Sequence, residues 1–210
     1  MKFSALIVVG FVGGFVHHNN SVHQEVQLAE HLQQEYPSRM DVRIFPNHRG
    51  RQARQAILRL LDQDHDGVLS AQERKQARIV LYGHSWGASE AVAIARTLQD
   101  DGVPVLLTIQ VDSVTKPGEN DRAIPANVAE AVNFYQLDGL LHGKDRIYAA
   151  DPSRTEILGN FQYDYKNNPV NCGGYPWFAR LFMRPHIEIE ADPKVWNRVE
   201  SLIRSQLPAQ

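Results

Sequence analysis

In the stretch IVLYGHSWGASEAVAIA, residues 79–95, a serine stands between two glycines where a continuous apolar run gives way to apolar residues at helical spacing. A strand, a G-x-S-x-G turn and a helix in that order put Ser85 on a strained bend, because Gly83 and Gly87 let strand and helix approach closely. Its hydroxyl then projects from the carboxyl end of a sheet, at the amino end of a helix. There the backbone N–H of Trp86 can face an oxygen that develops negative charge, and the helix dipole favours the anion. A glycine-rich turn whose serine merely caps a helix is the simpler alternative, yet the embedding in strand and helix favours a nucleophile.

A serine hydroxyl is a weak nucleophile unless a base takes its proton and a third group holds the base. Of the nine histidines, His17, His18, His23 and His48 precede the serine in polar contexts that read as solvated, and His65 lies inside an acidic string. The side chain of His84, next to the serine, is expected to point away from the hydroxyl. His186, in MRPHIEIEADP, reads as part of a loop leading into the final helix and is the favoured base, with His142, in LLHGKDR, second. For the acid, Asp112 in IQVDSV ends the strand after that of the serine, a neighbour if sequential parallel strands pair. Asp138, in YQLDG, occupies the equivalent place one strand later and is the alternative.

A second string, DQDHDGVLSAQE at residues 62–73, matches the twelve-residue EF-hand calcium loop at every informative place. Asp62, Asp64 and Asp66 offer oxygens at alternate positions, Gly67 permits the sharp turn, and Val68 offers its carbonyl. Leu69 stands where an apolar anchor is expected, Ser70 can bind directly or through water, and Glu73 can bind with both oxygens. AILRLL enters the loop and SAQERKQAR leaves it, both helical in pattern. A lone hand has no partner in the sequence, so calcium here is expected to brace the segment feeding the strand of Ser85, not to act in catalysis. A solvated acidic turn is the alternative.

These residues need a scaffold. Apolar runs at 5–10, 41–45, 78–83, 103–111 and 131–136, with a weaker one at 155–161, alternate with helical patterns. The expected architecture is an α/β fold, a mostly parallel sheet of about six strands with helices on both faces. Helical spacing covers 22–36 and 53–61, and after the serine Ala88, Ala91, Val92, Ala95 and Leu98 share one face. In the final helix Asp192 can cap, Pro193 fits the first turn, and Val195, Trp196, Val199, Leu202 and Ile203 form the apolar stripe. Residues 164–183 read as a structured loop over a site, in which Tyr175, Trp177, Phe178 and Phe182 form either an acyl-binding wall or core packing.

With 210 residues, 43% of them hydrophobic, the chain can bury one substantial core, and a single domain over 1–210 is expected, with the acidic loop inserted at 62–73. A net charge of −2, from 22 basic and 24 acidic residues, gives no footprint for nucleic acid. Cys172 is the sole cysteine, so neither an internal disulfide nor a paired-cysteine zinc site is available. Residues 1–16 have the length of a secretion signal, but closely spaced glycines and the lack of a small-x-small cleavage site favour a core strand there. No run reaches the roughly 18 apolar residues needed to span a bilayer. Compartment, cytoplasmic or exported, and oligomeric state are left open.

The order glycine-rich loop, G-H-S-W-G, Asp, His and final helix resembles the α/β-hydrolase fold, in particular its small lipases and esterases, over residues 6–207. That resemblance implies that Ser85 attacks the carbonyl of a small-molecule ester or lipid, His186 shuttles the proton, Asp112 holds the base, and water releases an acyl-enzyme. VVGFVGGF resembles the glycine-rich loop after the third strand of many esterases, which implies that Phe11, or else Val12, joins Trp86 in the oxyanion hole. The chain departs from the family pattern in starting at what would be its third strand, and in lacking the histidine that often precedes the glycine at position 10. Thioesterases, peptidases and acyltransferases use the same triad, and a catalytically idle, calcium-dependent binding protein is the reading from a different class.

Overall fold

The computed structural model describes residues 5–208. The chain runs β1 (Leu6–Val12), α1 (Gln24–Glu35), β2 (Met40–Pro46), α2 (Gly50–Leu61), α3 (Ala71–Lys75) and β3 (Ile79–His84). It continues through α4 (Trp86–Asp100), β4 (Val105–Val111), β5 (Ala123–Ile124), β6 (Val128–Tyr135), β7 (Tyr148–Ala149) and β8 (Glu156–Gln162). Three helices close it: α5 (Trp177–Phe182), α6 (Arg184–Ala191) and α7 (Pro193–Ser205). Of the segment weighed against a secretion signal, residues 1–4 lie outside the described residues, and residues 6–12 form β1.

Six strands form one parallel sheet in the order β2-β1-β3-β4-β6-β8, and the expected α/β class is the one found. Strands buried on both faces read as continuous apolar runs, since residues alternate between two cores. In β1, Leu6 and Val8 pack with Leu32 of α1 and Val199 and Ile203 of α7. Ile7, Val9 and Phe11 pack on the opposite face with Ile57 of α2 and Ala91, Val92 and Leu98 of α4. In α7 the Asp192 carboxylate accepts from the Lys194 N–H at 2.9 Å, the cap that the sequence announces.

From β1 the chain crosses to β2 on one side, then returns to β3 on the other. Such a reversal opens a crevice at the carboxyl ends of the two strands, the usual place for a ligand in an open α/β sheet. Two glycines deepen the contact beneath it. A Cβ on Gly83 would lie 2.5 Å from the Gly87 carbonyl carbon, and one on Gly87 would lie 2.1 Å from the Phe11 carbonyl oxygen. Helix α4 therefore rests directly on the backbones of β1 and β3.

Residues 164–183, expected to be a structured loop, contain α5. Its six residues leave Trp177, Leu181 and Phe182 exposed, so no apolar stripe marks it as a helix. The β5–β7 pair, two residues per strand, is too short to carry a period. Among the described residues no helix is long and apolar enough to cross a membrane.

The close approach gives a test with a sign. Alanine in place of an ordinary helical glycine stabilises by about 1 kcal/mol. Gly87→Ala should instead destabilise, by about 1–3 kcal/mol, because its methyl meets backbone that cannot step aside. Urea unfolding checks this, and a higher midpoint would mean that helix and strand stand farther apart.

Candidate active site

Ser85 joins β3 to α4 at φ 57° and ψ −127°. Holding a non-glycine residue there costs about 1–3 kcal/mol, so the surroundings must over-determine it. Its N–H donates to the Val111 carbonyl at 3.0 Å, and its carbonyl accepts from the N–H groups of Ala88 at 3.1 Å, Ser89 at 3.3 Å and Val114 at 3.3 Å. The strained bend is thus fixed by both α4 and the chain leaving β4.

Asp112 follows β4, fully buried and also at positive φ, 43°. Its Oδ1 accepts from the N–H of Gly143 at 2.7 Å and of Gln136 at 3.1 Å, and its Oδ2 accepts from Gln136 Nε2 at 2.8 Å. With three donors already converging, the carboxylate acts as acceptor, and His186 Nδ1 donates to Oδ2 at 2.6 Å. This assigns the His186 proton to Nδ1 and leaves the Nε2 lone pair free. The expected pair of acid and base is therefore in contact, although His186 sits in the first turn of α6 and not in a loop. Arg-Pro at the start of that helix hid it, since Pro185 reads as a breaker but fits a first turn.

The alternatives are engaged elsewhere. Asp138 pairs with Lys166 at 2.8 Å, and His142 Nδ1 lies 3.0 Å from the Gly143 carbonyl. The loop that holds His142 contributes Gly143 instead, whose Cβ would sit 2.6 Å from Asp112 Oδ1. Neither Gln136 nor Gly143 carried a signal in the sequence, because a backbone donor and a neutral amide look the same in any loop.

A cavity of about 660 Å³ opens over Ser85 and His186, lined also by Gly13, Phe15, Tyr175 and Phe178. Of the four aromatic residues expected to form a wall, Tyr175 and Phe178 reach it, whereas Trp177 and Phe182 face outward. Trp86 opens α4, and its ring meets Phe15 edge-on at 5.8 Å. Phe11, expected to be the second oxyanion donor, lies within β1 in register with Phe45 and Gly83, its ring in the core. Val12 is likewise paired with Pro46. The chain passes Ser85 just beyond the strand: a Cβ on Gly13 would stand 2.9 Å from that of Ser85. Asn47 holds this turn, its Nδ2 donating to the carbonyls of Val12 at 3.2 Å and Gly14 at 2.5 Å. Gly13 and Gly14 of this turn line the cavity beside Ser85, and Phe11 and Val12 do not.

Two histidines read as bystanders are also here. His84 lines the cavity, its ring 4.4 Å from that of His186, and its Nε2 lies 3.2 Å from the His186 carbonyl. His23, read as solvated, is mostly buried with Nδ1 at 2.5 Å from Glu190 Oε1. Burial holds both imidazoles below their ordinary pKa, His84 well below, with the neighbouring His186 adding to the effect there. Glu25 and Glu190 stand beside them; burial raises both carboxyls, Glu190 to about 8.

The acidic loop is folded at the other edge of the sheet, between α2 and α3. Asp62, Asp64 and Glu73 bring carboxylate oxygens within 4.8 Å of one another. Gly67 takes φ 83° and donates its N–H to Asp62 Oδ2 at 3.0 Å, and the Val68 N–H donates to Asp66 Oδ1 at 2.7 Å. Ser70 and Glu73 form a capping box at the start of α3. Asp62 Oδ1 is shielded from solvent and meets no donor.

No family model and no curated protein matches the chain. Among solved structures it is similar to a candidate YdeN-like hydrolase of Pectobacterium atrosepticum, with 15% identity, 98% of this chain and 94% of that chain covered, and a TM-score of 0.45. A thermostable esterase of Pseudomonas putida gives 10%, 100%, 77% and 0.48 for the same measures. A dienelactone hydrolase-like promiscuous phosphotriesterase from metagenomic libraries gives 13%, 99%, 89% and 0.43. These likenesses concern the course of the chain, not its chemistry.

The packing at Gly143 is directly testable. Gly143→Ala should drive the new methyl into Asp112 and break the short bond to His186. The far-downfield proton resonance expected of a buried imidazole N–H at 2.6 Å should then vanish or move upfield. An unchanged resonance would mean that the turn yields without moving the carboxylate.

Proposed function

We propose that the protein is a serine hydrolase that cleaves carboxylic esters through an acyl-enzyme. The observation that carries this reading is the 2.6 Å bond from His186 Nδ1 to Asp112 beside a serine held at φ 57°, with serine and histidine on one cavity. A carboxylate that fixes the tautomer leaves Nε2 to act as the base.

In the first step Nε2 of His186 takes the Ser85 proton while Oγ bonds to the ester carbonyl carbon. The oxyanion that forms is met by the Trp86 N–H at the start of α4, where the helix dipole also favours it. A second donor is supplied by the turn at Gly13 and Gly14, which lines the cavity while Phe11 lies within β1. Collapse transfers the proton from Nε2 to the leaving alcohol and leaves Ser85 acylated. Water, deprotonated by the same nitrogen, then attacks the acyl carbon, and the acid departs as the proton returns to Ser85. Tyr175 and Phe178 give the acyl group an apolar wall, which favours esters over charged substrates.

The acidic loop is proposed to hold one structural calcium ion through Asp62, Asp64, Asp66, the Val68 carbonyl, Ser70 and Glu73. The unpartnered Asp62 oxygen and the convergence of three carboxylates fit such an ion, whose charge would relieve their mutual repulsion. Its work would be to fasten α2 to α3 ahead of β3, away from the reacting atoms.

A fluorophosphonate should label Ser85, and p-nitrophenyl esters of graded acyl length should be hydrolysed. Ser85→Ala should lower kcat by roughly 10⁴-fold or more, and Asp112→Asn by about 10⁴-fold through the wrong tautomer. Folded protein that neither labels nor turns over any ester would overturn the reading; turnover of thioesters or amides alone would move it to another acyl transfer.

For calcium, the melting temperature of the metal-free protein should rise on addition of Ca²⁺ in the parent protein and not in Asp62→Ala. Equal melting with and without Ca²⁺ would remove the ion from the account.

A further inference from the structure

A second buried cluster stands beside the triad and has no part in the proposed reaction. His23 and Glu25 come from the start of α1, His84 from the end of β3, and Glu190 from α6, one turn after His186. His23, Glu25 and Glu190 each bring one ligand atom within 4.8 Å of the others. Glu25 is fully buried, no lysine, arginine or hydroxyl group donates to its oxygens, and its carboxyl lies against that of Glu190. Among the described residues no lysine or arginine pairs with either glutamate; their ionisable neighbours are the two histidines and Tyr175, which stands beside Glu190.

His84 sharpens the requirement. Its Nε2 donates to the His186 carbonyl at 3.2 Å, so Nδ1 turns a lone pair toward Glu190 Oε2 at 3.4 Å and Glu25 Oε1 at 3.9 Å. Lone pairs aimed at one another in a buried space need a proton or a metal cation between them. A tetrahedral ion with bonds of about 2.0–2.1 Å places its donor atoms about 3.3 Å apart, close to the spacing of His84 and Glu190. The bond from His84 to a backbone carbonyl is also the support that metal-binding imidazoles commonly have. Mixed imidazole and carboxylate donors favour a transition dication over calcium or magnesium.

We propose that His23, Glu25 and Glu190, with His84 closing the set, bind one divalent transition metal of the zinc class. The ion ties α1, β3 and α6 together and so fixes the helix that carries His186. To form it, the His23–Glu190 contact of 2.5 Å opens as both groups turn to the metal. The site is separate from the loop at residues 62–73, whose donors are oxygens alone.

The test uses the full chain, freed of metal by chelation and titrated with Co²⁺ and then Zn²⁺. The expected result is about one Co²⁺ per chain with the visible bands of a low-coordinate nitrogen–oxygen site, displaced by Zn²⁺. Glu25→Gln and Glu190→Gln should weaken binding more than ~100-fold, beyond the usual effect of an outer-shell change. Asp62→Ala should leave the bands intact. His23→Ala, at a partly exposed position, serves if a glutamine variant does not fold. Absence of the bands, with no saturable Zn²⁺ binding, would overturn the proposal and point to a proton shared by the glutamates. Binding kept in the glutamine variants or lost in Asp62→Ala would equally overturn it. These readouts do not depend on ester hydrolysis, so the metal site and the hydrolase reading stand or fall separately.

Discussion

The closeness of α4 to the strands beneath it governs the molecule. Because Gly83 and Gly87 carry no side chains, the helix begins almost on the backbone of β1. That proximity forces the link between β3 and α4 to be a single residue, and the single residue must adopt a left-handed conformation. Ser85 is therefore presented by the packing of backbone on backbone, and side chains elsewhere adapt to it. The turn after β1 runs past the serine for the same reason, since β1 is the strand on which the helix rests.

Legibility in the sequence followed physical scale. Six strands were readable because burial on both faces leaves unbroken apolar runs, and α4 and α7 because their stripes are long. Ser85, Asp112 and His186 could be picked out by residue type and chain order. What stayed hidden depends on distances between segments far apart in the chain. Gln136 and Gly143 matter only because the turn after β6 folds over Asp112. His23 looked solvated because nothing local reveals that α6 will cover it with Glu190. Phe11 and Val12 come forward in the sequence because the apolar run ends at residue 10, whereas the strand extends to Val12 and the turn falls at Gly13.

Two kinds of buried carboxylate stand beside the neighbouring imidazoles, Asp112 against His186 and Glu25 near His84. Asp112 is met by three N–H donors besides the imidazole, a complete set that fixes its orientation. Glu25 has no such donors. The first arrangement orients a neighbour and the second waits for a positive charge, so burial alone does not tell what an acidic side chain is for.

The two edges of the sheet carry different burdens. Parallel strands deliver every turn of the candidate active site to their carboxyl ends, and α2, running back across the sheet, sets the acidic loop down at their amino ends. The length of the strands separates them. Substitutions at one edge should then add to those at the other without interacting. The fold can be strengthened at its base while the mouth of the cavity is reshaped, and neither alteration has to anticipate the other.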